Sequence, residues 1–248
     1  MKKLNLMLIA FTLLAGTACK KDKTDDSTPS TPSTSTCLIT KDVSDDGSHS
    51  EFTYNSSNQL TAYSSFTAAD TSTNNLTYTY AGNKVTVTTV GGDLPITQTH
   101  YLNSKGFADS TIISFAGLFN LTMLYTYNAA GELTEQAVSG DFMGSPIEQS
   151  ITYEYTAGNK TKETTDDGTN TTVTTYEYYT DKANAGAKSE QALSFTPASK
   201  NMLKKTTNDD GTYTDVSYEF DADGKPIKST EIDNTSTIVK HTFTWSCK

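Results

Sequence analysis

Aromatic or branched apolar residues alternate with hydroxyl-bearing residues over much of this sequence. The segments 77–80 (Thr-Tyr-Thr-Tyr), 85–88 (Val-Thr-Val-Thr) and 151–155 (Ile-Thr-Tyr-Glu-Tyr) show the alternation most clearly. Successive side chains of a β-strand point to opposite faces, so each segment would place its apolar residues on one face and its polar residues on the other. These residue types also favour a pleated, half-buried surface. The pattern predicts an all-β protein whose sheet has one buried face.

Turn-forming residues separate the alternating segments. The clearest unit is 127–133 (Tyr-Asn-Ala-Ala-Gly-Glu-Leu), where the glycine supplies a positive φ and a five-residue connection would place Tyr127 opposite Leu133. Aromatic or apolar residues that open related units fall at positions 54, 80, 102, 127, 155, 178 and 220, and most steps are 22 to 28 residues. A loose repeat of this period predicts one hairpin per unit, stacked side by side as an antiparallel meander.

The expected architecture is a single all-β domain over residues 37–248, with about a dozen or more strands. The sheet would be rolled or twisted so that its tyrosine face is buried. Two outcomes stay open, because a closed barrel hides its sheet edges and a spiral leaves them exposed. The best candidate for a helix, residues 181–193, is expected to be a loop or a short helical turn.

The N-terminus has the layout of an export signal. A positive start is followed by an apolar run over residues 4–15 and by small residues before Cys19. The apolar run is shorter than the roughly 20 residues that span a bilayer. We therefore expect residues 1–18 to be a lipoprotein signal peptide, with cleavage before Cys19 and a diacylglycerol on its sulfur.

Residues 19–36 are first charged and then built only from Ser, Thr and Pro, a composition that stays solvated and extended. This segment is expected to be a tether. The expected partner is thus the membrane, through the lipid anchor on Cys19. The expected location is the cell envelope, at the outer membrane, facing the periplasm or the outside.

Two further cysteines, Cys37 and Cys247, lie at the two ends of the predicted domain. In an exported protein such a pair is expected to form a disulfide, and the alternative is two buried thiols that never meet. Trp245 would then pack near the bridge.

Charge and composition exclude several classes of ligand. The formal net charge is -10 and the sequence contains no arginine. It therefore lacks guanidinium groups, which form paired hydrogen bonds with phosphates and base edges. Nucleic acid is therefore not an expected partner. The three histidines, His49, His100 and His241, show no zinc-binding spacing. Neither a metal nor a cofactor is expected.

Acidic pairs recur before glycine at 45–47, 166–168 and 209–211, with a variant at 221–224. Asp-Gly is a common hairpin turn, so turns are expected here. Calcium binding is the weaker alternative, because Ile232 stands where a calcium loop starting at 221 needs its bidentate acid.

The unit aromatic-x-aromatic-Asn/Asp-x-x-Gly followed by an apolar position resembles the tyrosine-aspartate repeat of Rhs-type proteins, over most of residues 50–235. The chain is also similar to all-β lipoproteins of Gram-negative bacteria whose function is unknown. The resemblance implies sheet that curls into spirals or shells, and it supplies no catalytic residue. This chain departs from the repeat in its irregular spacing and in the residue after the glycine, which is Glu132 or Lys225. It is also far too short for a toxin-enclosing shell.

Three functions remain open. The first is a non-catalytic envelope lipoprotein that binds or scaffolds a glycan or an envelope protein through residues that the sequence does not identify. The second is a structural surface or assembly component that pairs through sheet edges. The third is a hydrolase with a spatially assembled carboxylate site. The sequence contains no nucleophile elbow and no phosphate-binding glycine loop, so we do not expect an enzyme and predict no catalytic residue.

Overall fold

The computed structural model describes residues 37–91, 95–116, 118–142 and 144–248. The predicted signal peptide (1–18), the predicted tether (19–36) and the predicted acylation site Cys19 lie outside the described residues. None of the helical structure in the described part of the chain has the length and hydrophobicity that a bilayer span requires.

In these described ranges, sixteen antiparallel strands form one closed barrel, and each strand pairs with its neighbours in the sequence. The strands are β1 (Cys37–Ser44), β2 (His49–Tyr54), β3 (Leu60–Thr67), β4 (Ser72–Ala81), β5 (Lys84–Thr89), β6 (Ile96–Leu102), β7 (Ala108–Phe115), β8 (Phe119–Tyr127), β9 (Leu133–Phe142), β10 (Ser145–Thr156), β11 (Asn159–Asp166), β12 (Thr171–Ala183), β13 (Asn201–Asn208), β14 (Tyr213–Phe220), β15 (Pro226–Asp233) and β16 (Ile238–Cys247). The barrel closes where β1 pairs with β16. The predicted all-β meander is confirmed, and closure makes it a barrel and not a spiral.

The apolar face of the sheet points into the lumen. On the paired strands β4 and β5, Tyr78 lies opposite Val87 and both are buried, whereas Thr79 lies opposite Thr86 on the outer face. The period of two thus separates an apolar inner wall from a polar outer wall, as the sequence predicts.

The outer wall consists mainly of hydroxyl and charged side chains. On β10, Thr152 and Glu154 are exposed, and the intervening Tyr153 faces the lumen. Large apolar side chains with substantial exposure are scattered among the described residues: Val90, Tyr101, Ile112, Leu118, Leu124, Ile227 and Ile238. The outer surface is therefore predominantly polar.

The predicted hairpin unit is present in the structure. Tyr127 lies opposite Leu133, and between them the amide of Asn128 donates to the carbonyl of Glu132 at 3.0 Å. Gly131 has a φ of 88°, which glycine adopts without strain. The same closure joins Asn55 to Gln59, Asn103 to Phe107 and Asp221 to Lys225.

The two ends of the barrel differ. Turns that follow odd-numbered strands lie at one end, here called the distal end. Turns that follow even-numbered strands lie at the other, here called the proximal end, together with the first and last described strand ends at Cys37 and Cys247. The sulfur atoms of Cys37 and Cys247 are bonded, 2.04 Å apart, which confirms the predicted disulfide. Trp245 lies opposite Ile39 next to this bridge.

The connection from β12 to β13 folds into the lumen at the proximal end. Residues 184–200 form this segment, here called the plug, which contains the helix α1 (Ala187–Ser194). Ser189 is buried, and its hydroxyl accepts the amide of Ile39 on β1 at 3.0 Å. The carbonyl of Phe195 accepts the amide of Ala108 on β7 at 2.7 Å. The sequence suggests a loop or a short helical turn over residues 181–193, and the structure has a short helix of eight residues there. It belongs to a plug that contacts both β1 and β7.

The plug fills one half of the lumen. The Phe195 ring centroid lies 4.5 Å from that of His100 and 6.5 Å from that of Tyr78. It joins one core cluster with side chains of β1 to β7: Ile39, Phe52, Leu60, Tyr63, Tyr78, Val85, Val87 and Ala108. The half of the lumen bounded by β9 to β16 retains open space.

Candidate functional site

A cavity of about 620 Å³ occupies the lumen between the plug and strands β9 to β16. This volume lies within the range of small-molecule binding sites. One part of its wall is apolar and is formed by Ile39, Leu133, Leu193, Met202, Phe243 and Trp245. Another part consists of five tyrosines: Tyr153, Tyr155, Tyr176, Tyr178 and Tyr218.

The tyrosines reach the cavity because they occupy inward-facing positions of β10, β12 and β14. Several of their hydroxyl groups are held by the protein. Tyr176 donates to Glu163 at 3.2 Å, and Tyr178 donates to the carbonyl of Lys160 at 2.7 Å. Burial raises the pKa of Tyr178 to about 12, so this side chain is a neutral donor. What the tyrosines offer a ligand is therefore mainly the faces of their rings.

An ion pair projects into this tyrosine wall. The ammonium of Lys160 lies 2.7 Å from the carboxylate of Glu163. It also lies 4.4 Å from the ring centroid of Tyr176 and 5.4 Å from that of Tyr153, distances at which a cation is attracted to an aromatic face. The register between β10 and β11 shifts at Thr161, an extra residue of β11, so that Lys160 lies opposite Tyr155 and Glu163 opposite Tyr153. Both charged side chains therefore turn inward although they are three positions apart.

A third charged side chain, Glu190, enters the cavity from α1. Its carboxylate accepts a hydrogen bond from the amide of Asn184 at 2.9 Å. Burial raises the pKa of Glu190, an effect that the Asn184 bond and the nearby charge of Lys160 partly oppose. Because the charges of Glu163 and Lys160 cancel, ionised Glu190 gives these three side chains a net charge of about −1.

The three histidines lie on separate strands, and the structure does not bring them together. His49 is on the outer wall beside Phe66, with ring centroids 5.3 Å apart. His100 is buried against Thr111 at 2.8 Å, and burial lowers its pKa to about 4. In the part of the chain that the structure describes, no group of three or more His, Cys, Asp or Glu side chains is arranged to hold a metal ion.

His241 belongs to a buried charged cluster that the sequence did not reveal. Its Nδ1 lies 3.0 Å from Asp42, and its Nε2 lies 3.7 Å from Glu231. Glu231 is 4 % exposed, and burial raises its pKa to about 8. The inward register of β15 and β16 places these side chains together. Neither carboxylate lines the cavity, so this cluster is not part of the candidate binding site.

The acidic pairs form turns, as expected. Asp167 accepts the amide of Asn170 at 2.7 Å, and Asp210 accepts the amide of Thr212 at 2.9 Å. The amide of Asn170 lowers the pKa of Asp167, and the hydroxyl of Thr212, followed by its amide, lowers the pKa of Asp210. The pairs at 45–47, 166–168 and 209–211 all follow odd-numbered strands and therefore lie at the distal end.

The sequence alone identifies no ligand-binding residue, so none of the residues that line the cavity was predicted to bind a ligand. The one available signal was the inward position of the alternating tyrosines at 153, 155, 176 and 178. The pattern places them on the buried face but does not distinguish packed rings from rings that border a cavity.

Comparison with known proteins shows similarity at the level of the fold. No protein-family model matches the chain, and no curated protein matches it. A solved porin-like protein from Bacteroides uniformis ATCC 8492 is 16% identical, with a TM-score of 0.65, over 84% of this chain and 96% of that one. A porin-like protein from Bacteroides vulgatus ATCC 8482 is 10% identical, with a TM-score of 0.53, over 84% of this chain and 98% of that one. At these identities the similarity shows a shared all-β barrel architecture.

Proposed function

We propose that the protein is a lipid-anchored envelope protein that binds a small ligand in the lumen of its barrel and does not transform it. The observation that carries this proposal is the cavity of about 620 Å³, which remains open although the plug and the core cluster fill the other half of the lumen. The description of both structural neighbours as porin-like supports a place in the cell envelope.

The polar outer wall supports an anchored barrel over a spanning one. A transmembrane barrel presents an outward apolar band roughly 25 Å tall to the lipid. Here the outward positions of β10 and β11 include Thr152, Glu154, Lys162 and Thr164. We infer that the barrel stands in water and that acyl chains on Cys19 hold it to the membrane.

The path of the chain orients such an anchored barrel. A tether over residues 19–36 would join the barrel at Cys37, at the proximal end. The plug would then face the membrane, and the distal turns would point away from it.

The two other functions have less support. Assembly through sheet edges requires a free edge, and the described strands form a closed ring. A hydrolase with a carboxylate site would need two carboxylates able to act as acid and base or nucleophile. In the cavity, Glu163 is engaged by Lys160 and Tyr176, which leaves Glu190 without a second acting carboxylate.

The lumen site can be tested with a fluorescent probe, because the sequence contains one tryptophan, Trp245, and it lines the cavity. The protein would be the mature chain (19–248) carrying Cys19→Ala, which requires no detergent. The neutral dye N-phenyl-1-naphthylamine becomes fluorescent in apolar surroundings. We expect it to bind and to receive excitation energy from Trp245.

A matched pair of substitutions gives the control. Thr206 lines the cavity, whereas its neighbour Thr207 faces outward opposite Tyr213. Thr206→Phe should reduce dye binding by about tenfold or more by filling space, while Thr207→Phe should leave it unchanged. Absence of energy transfer, or equal binding by the two variants, would overturn the lumen site.

The anchor is tested separately in cells. Wild-type protein should incorporate labelled palmitate and sediment with membranes, and Cys19→Ala should abolish both. If the variant still sediments with membranes after a salt wash, the anchor on Cys19 is wrong.

A further inference from the structure

We propose that the lumen cavity selects an amphipathic organic cation, in which an ammonium group is joined to an apolar body. The proposal rests on the function proposed above and names the ligand class of that same cavity. Three features carry it: acidic turns at the distal end, a tyrosine wall that already holds an ammonium group, and the cavity carboxylate of Glu190, which forms no ion pair with the described residues.

Most of the acidic turns lie at the distal ends of the strands that bound the cavity. Four successive distal turns around the barrel, β11–β12, β13–β14, β15–β16 and β1–β2, carry aspartates. They are Asp45, Asp46, Asp166, Asp167, Asp209, Asp210 and Asp233. The cavity lining reaches Asn208, which is exposed and directly precedes Asp209. Like charges clustered at one end of a cavity attract counter-ions and raise their rate of entry, so this end favours cations.

The tyrosine wall shows what such a cation would meet inside. Lys160 places its ammonium between the rings of Tyr153 and Tyr176 and against the carboxylate of Glu163. Aromatic faces carry negative charge density and attract cations, most strongly where water is excluded. Tyr178 and Tyr218 line the same cavity, and their aromatic rings can offer the same chemistry to a ligand.

Glu190 supplies the charge that a ligand cation would neutralise. Its hydrogen-bond partner is the neutral amide of Asn184, and Lys160 is already paired with Glu163 at 2.7 Å. Transferring a carboxylate into a poorly hydrated site is costly unless a cation accompanies it. A bound ammonium beside Glu190 would remove that cost, and the apolar wall that includes Leu133 and Met202 would take the rest of the ligand.

The same features disfavour other ligand classes. An anion would be repelled by the distal aspartates and by Glu190. A glycan needs many free hydrogen-bonding groups, but the hydroxyls of Tyr176 and Tyr178 donate to the protein itself. A cation with an apolar body uses ring faces and one carboxylate, which is what the cavity provides.

Three probes that share one phenylbutyl body test the charge preference, and the first two also have the same shape. They are 4-phenylbutyl-trimethylammonium, its neutral analogue with carbon in place of nitrogen, and 5-phenylpentanoate as the anion. Binding to the mature chain with Cys19→Ala would be measured by calorimetry and by Trp245 fluorescence. We expect the cation to bind about tenfold or more tightly than the neutral analogue, and the anion to bind most weakly.

Glu190→Gln should reduce the affinity for the cation to that for the neutral analogue while leaving the neutral analogue unaffected, which also shows that the cavity is intact. Glu177→Gln is the matched control, because Glu177 pairs with Lys204 on the outer wall, and it should change neither affinity. In addition, the double variant Asp209→Asn, Asp210→Asn should lower the association rate constant of the cation but not that of the neutral analogue. Added salt should have the same effect on wild-type protein.

The pH dependence gives an independent readout of Glu190. The groups that face it are Asn184, Lys160, Tyr178 and Tyr218. Because burial raises the pKa of Glu190, affinity for the cation should rise with pH as the carboxylate ionises, and Glu190→Gln should remove this dependence.

The two proposals fail in different ways. If the neutral analogue binds as tightly as the cation, or if Glu190→Gln leaves the preference for the cation intact, the inference of a cationic ligand is overturned and the lumen site stands. If neither these probes nor the neutral dye binds, the lumen site itself is overturned.

Discussion

Glu231 and His241 lie on adjacent strands inside the barrel, with Oε1 of the carboxyl group and Nε2 of the imidazole 3.7 Å apart. Asp42 contacts the other ring nitrogen at 3.0 Å. Burial raises the pKa of Glu231 to about 8, and Asp42 adds to that shift against the charge of His241. Burial opposes ionisation of His241, but its hydrogen bond to Asp42 and the charges of Asp42 and Glu231 raise its pKa. The folded cluster therefore retains protons that the unfolded chain releases.

The cluster predicts that the protein becomes less stable as pH rises from about 5 to 8. Between the unfolded pKa of 4.5 and the folded value of about 8, Glu231 binds more protons in the folded state. The free energy of unfolding then falls with pH by up to about 1.4 kcal/mol per pH unit and proton. His241 acts in the same direction, because its contribution is lost as pH rises through its raised pKa.

Urea denaturation at several pH values measures this slope. Glu231→Gln should flatten it, since glutamine keeps the shape but does not titrate. Glu148→Gln, at an exposed outer position of β10, should leave it unchanged. A wild-type free energy of unfolding that is constant over this pH range would show that the cluster does not hold its protons as described.

The same leucine-to-alanine substitution should have a large effect on the inner wall of the barrel and a small effect on the outer wall. Leu60 is fully buried in the core cluster, and Leu124 is 53 % exposed on the outer wall. Leu60→Ala should cost about 2–5 kcal/mol of stability by leaving a cavity. Leu124→Ala should change it by no more than about 0.5 kcal/mol. Denaturant midpoints measure both changes. A larger loss of stability at Leu124 than at Leu60 would mean that Leu124 faces the interior of the barrel and Leu60 does not.

Local pattern was sufficient for the strands and their hairpins. Alternation at 77–80 and 85–88 predicted which side chains share a face, and the glycine of 127–133 predicted that Tyr127 faces Leu133. Each of these relationships involves residues close together in the sequence. The physical rule behind them, a period of two interrupted by turn residues, acts over that same short distance.

Closure and the plug could not be predicted in the same way. Closure depends on the number, tilt and stagger of all the strands together, and no single hairpin carries that information. The helix α1 is short, and the contacts that hold it come from distant strands, as the 150-residue separation of Ile39 and Ser189 shows. Lys160 and Glu163 both face the cavity only because Thr161, between them on β11, shifts the register with β10. The candidate site was therefore invisible in the sequence, although its tyrosines were assigned to the correct face.

The disulfide predicts a large loss of stability on reduction. Cys37 and Cys247 are separated by 210 residues, and a bridge over such a loop restricts the unfolded chain by about 5 kcal/mol as an upper figure. Replacing both cysteines with serine should lower the denaturant midpoint of the protein by a corresponding amount. It should also remove the effect of adding a reductant, which serves as the control. Free thiols can be counted in the Cys19→Ala protein after it is unfolded without reductant. Two reactive thiols per chain would show that the bridge is absent.

Phe195 tests whether the plug stabilises the barrel from inside. Its ring packs against His100 and Tyr78, and it is 4 % exposed. Phe195→Ala should cost about 3–5 kcal/mol by leaving a cavity between the plug and β4 to β6. The hydrogen bond from Ala108 to the carbonyl of residue 195 does not depend on the side chain, so the loss would report packing.

Phe66 provides the comparison for this substitution. It lies on the outer face of β3 beside His49 and is half-buried, so Phe66→Ala should cost markedly less than Phe195→Ala. Phe195→Leu should recover part of the lost stability, because leucine refills some of the space. Equal midpoints for Phe195→Ala and wild type would mean that residues 184–200 leave the lumen in solution, since a ring packed in the core cannot be removed without cost.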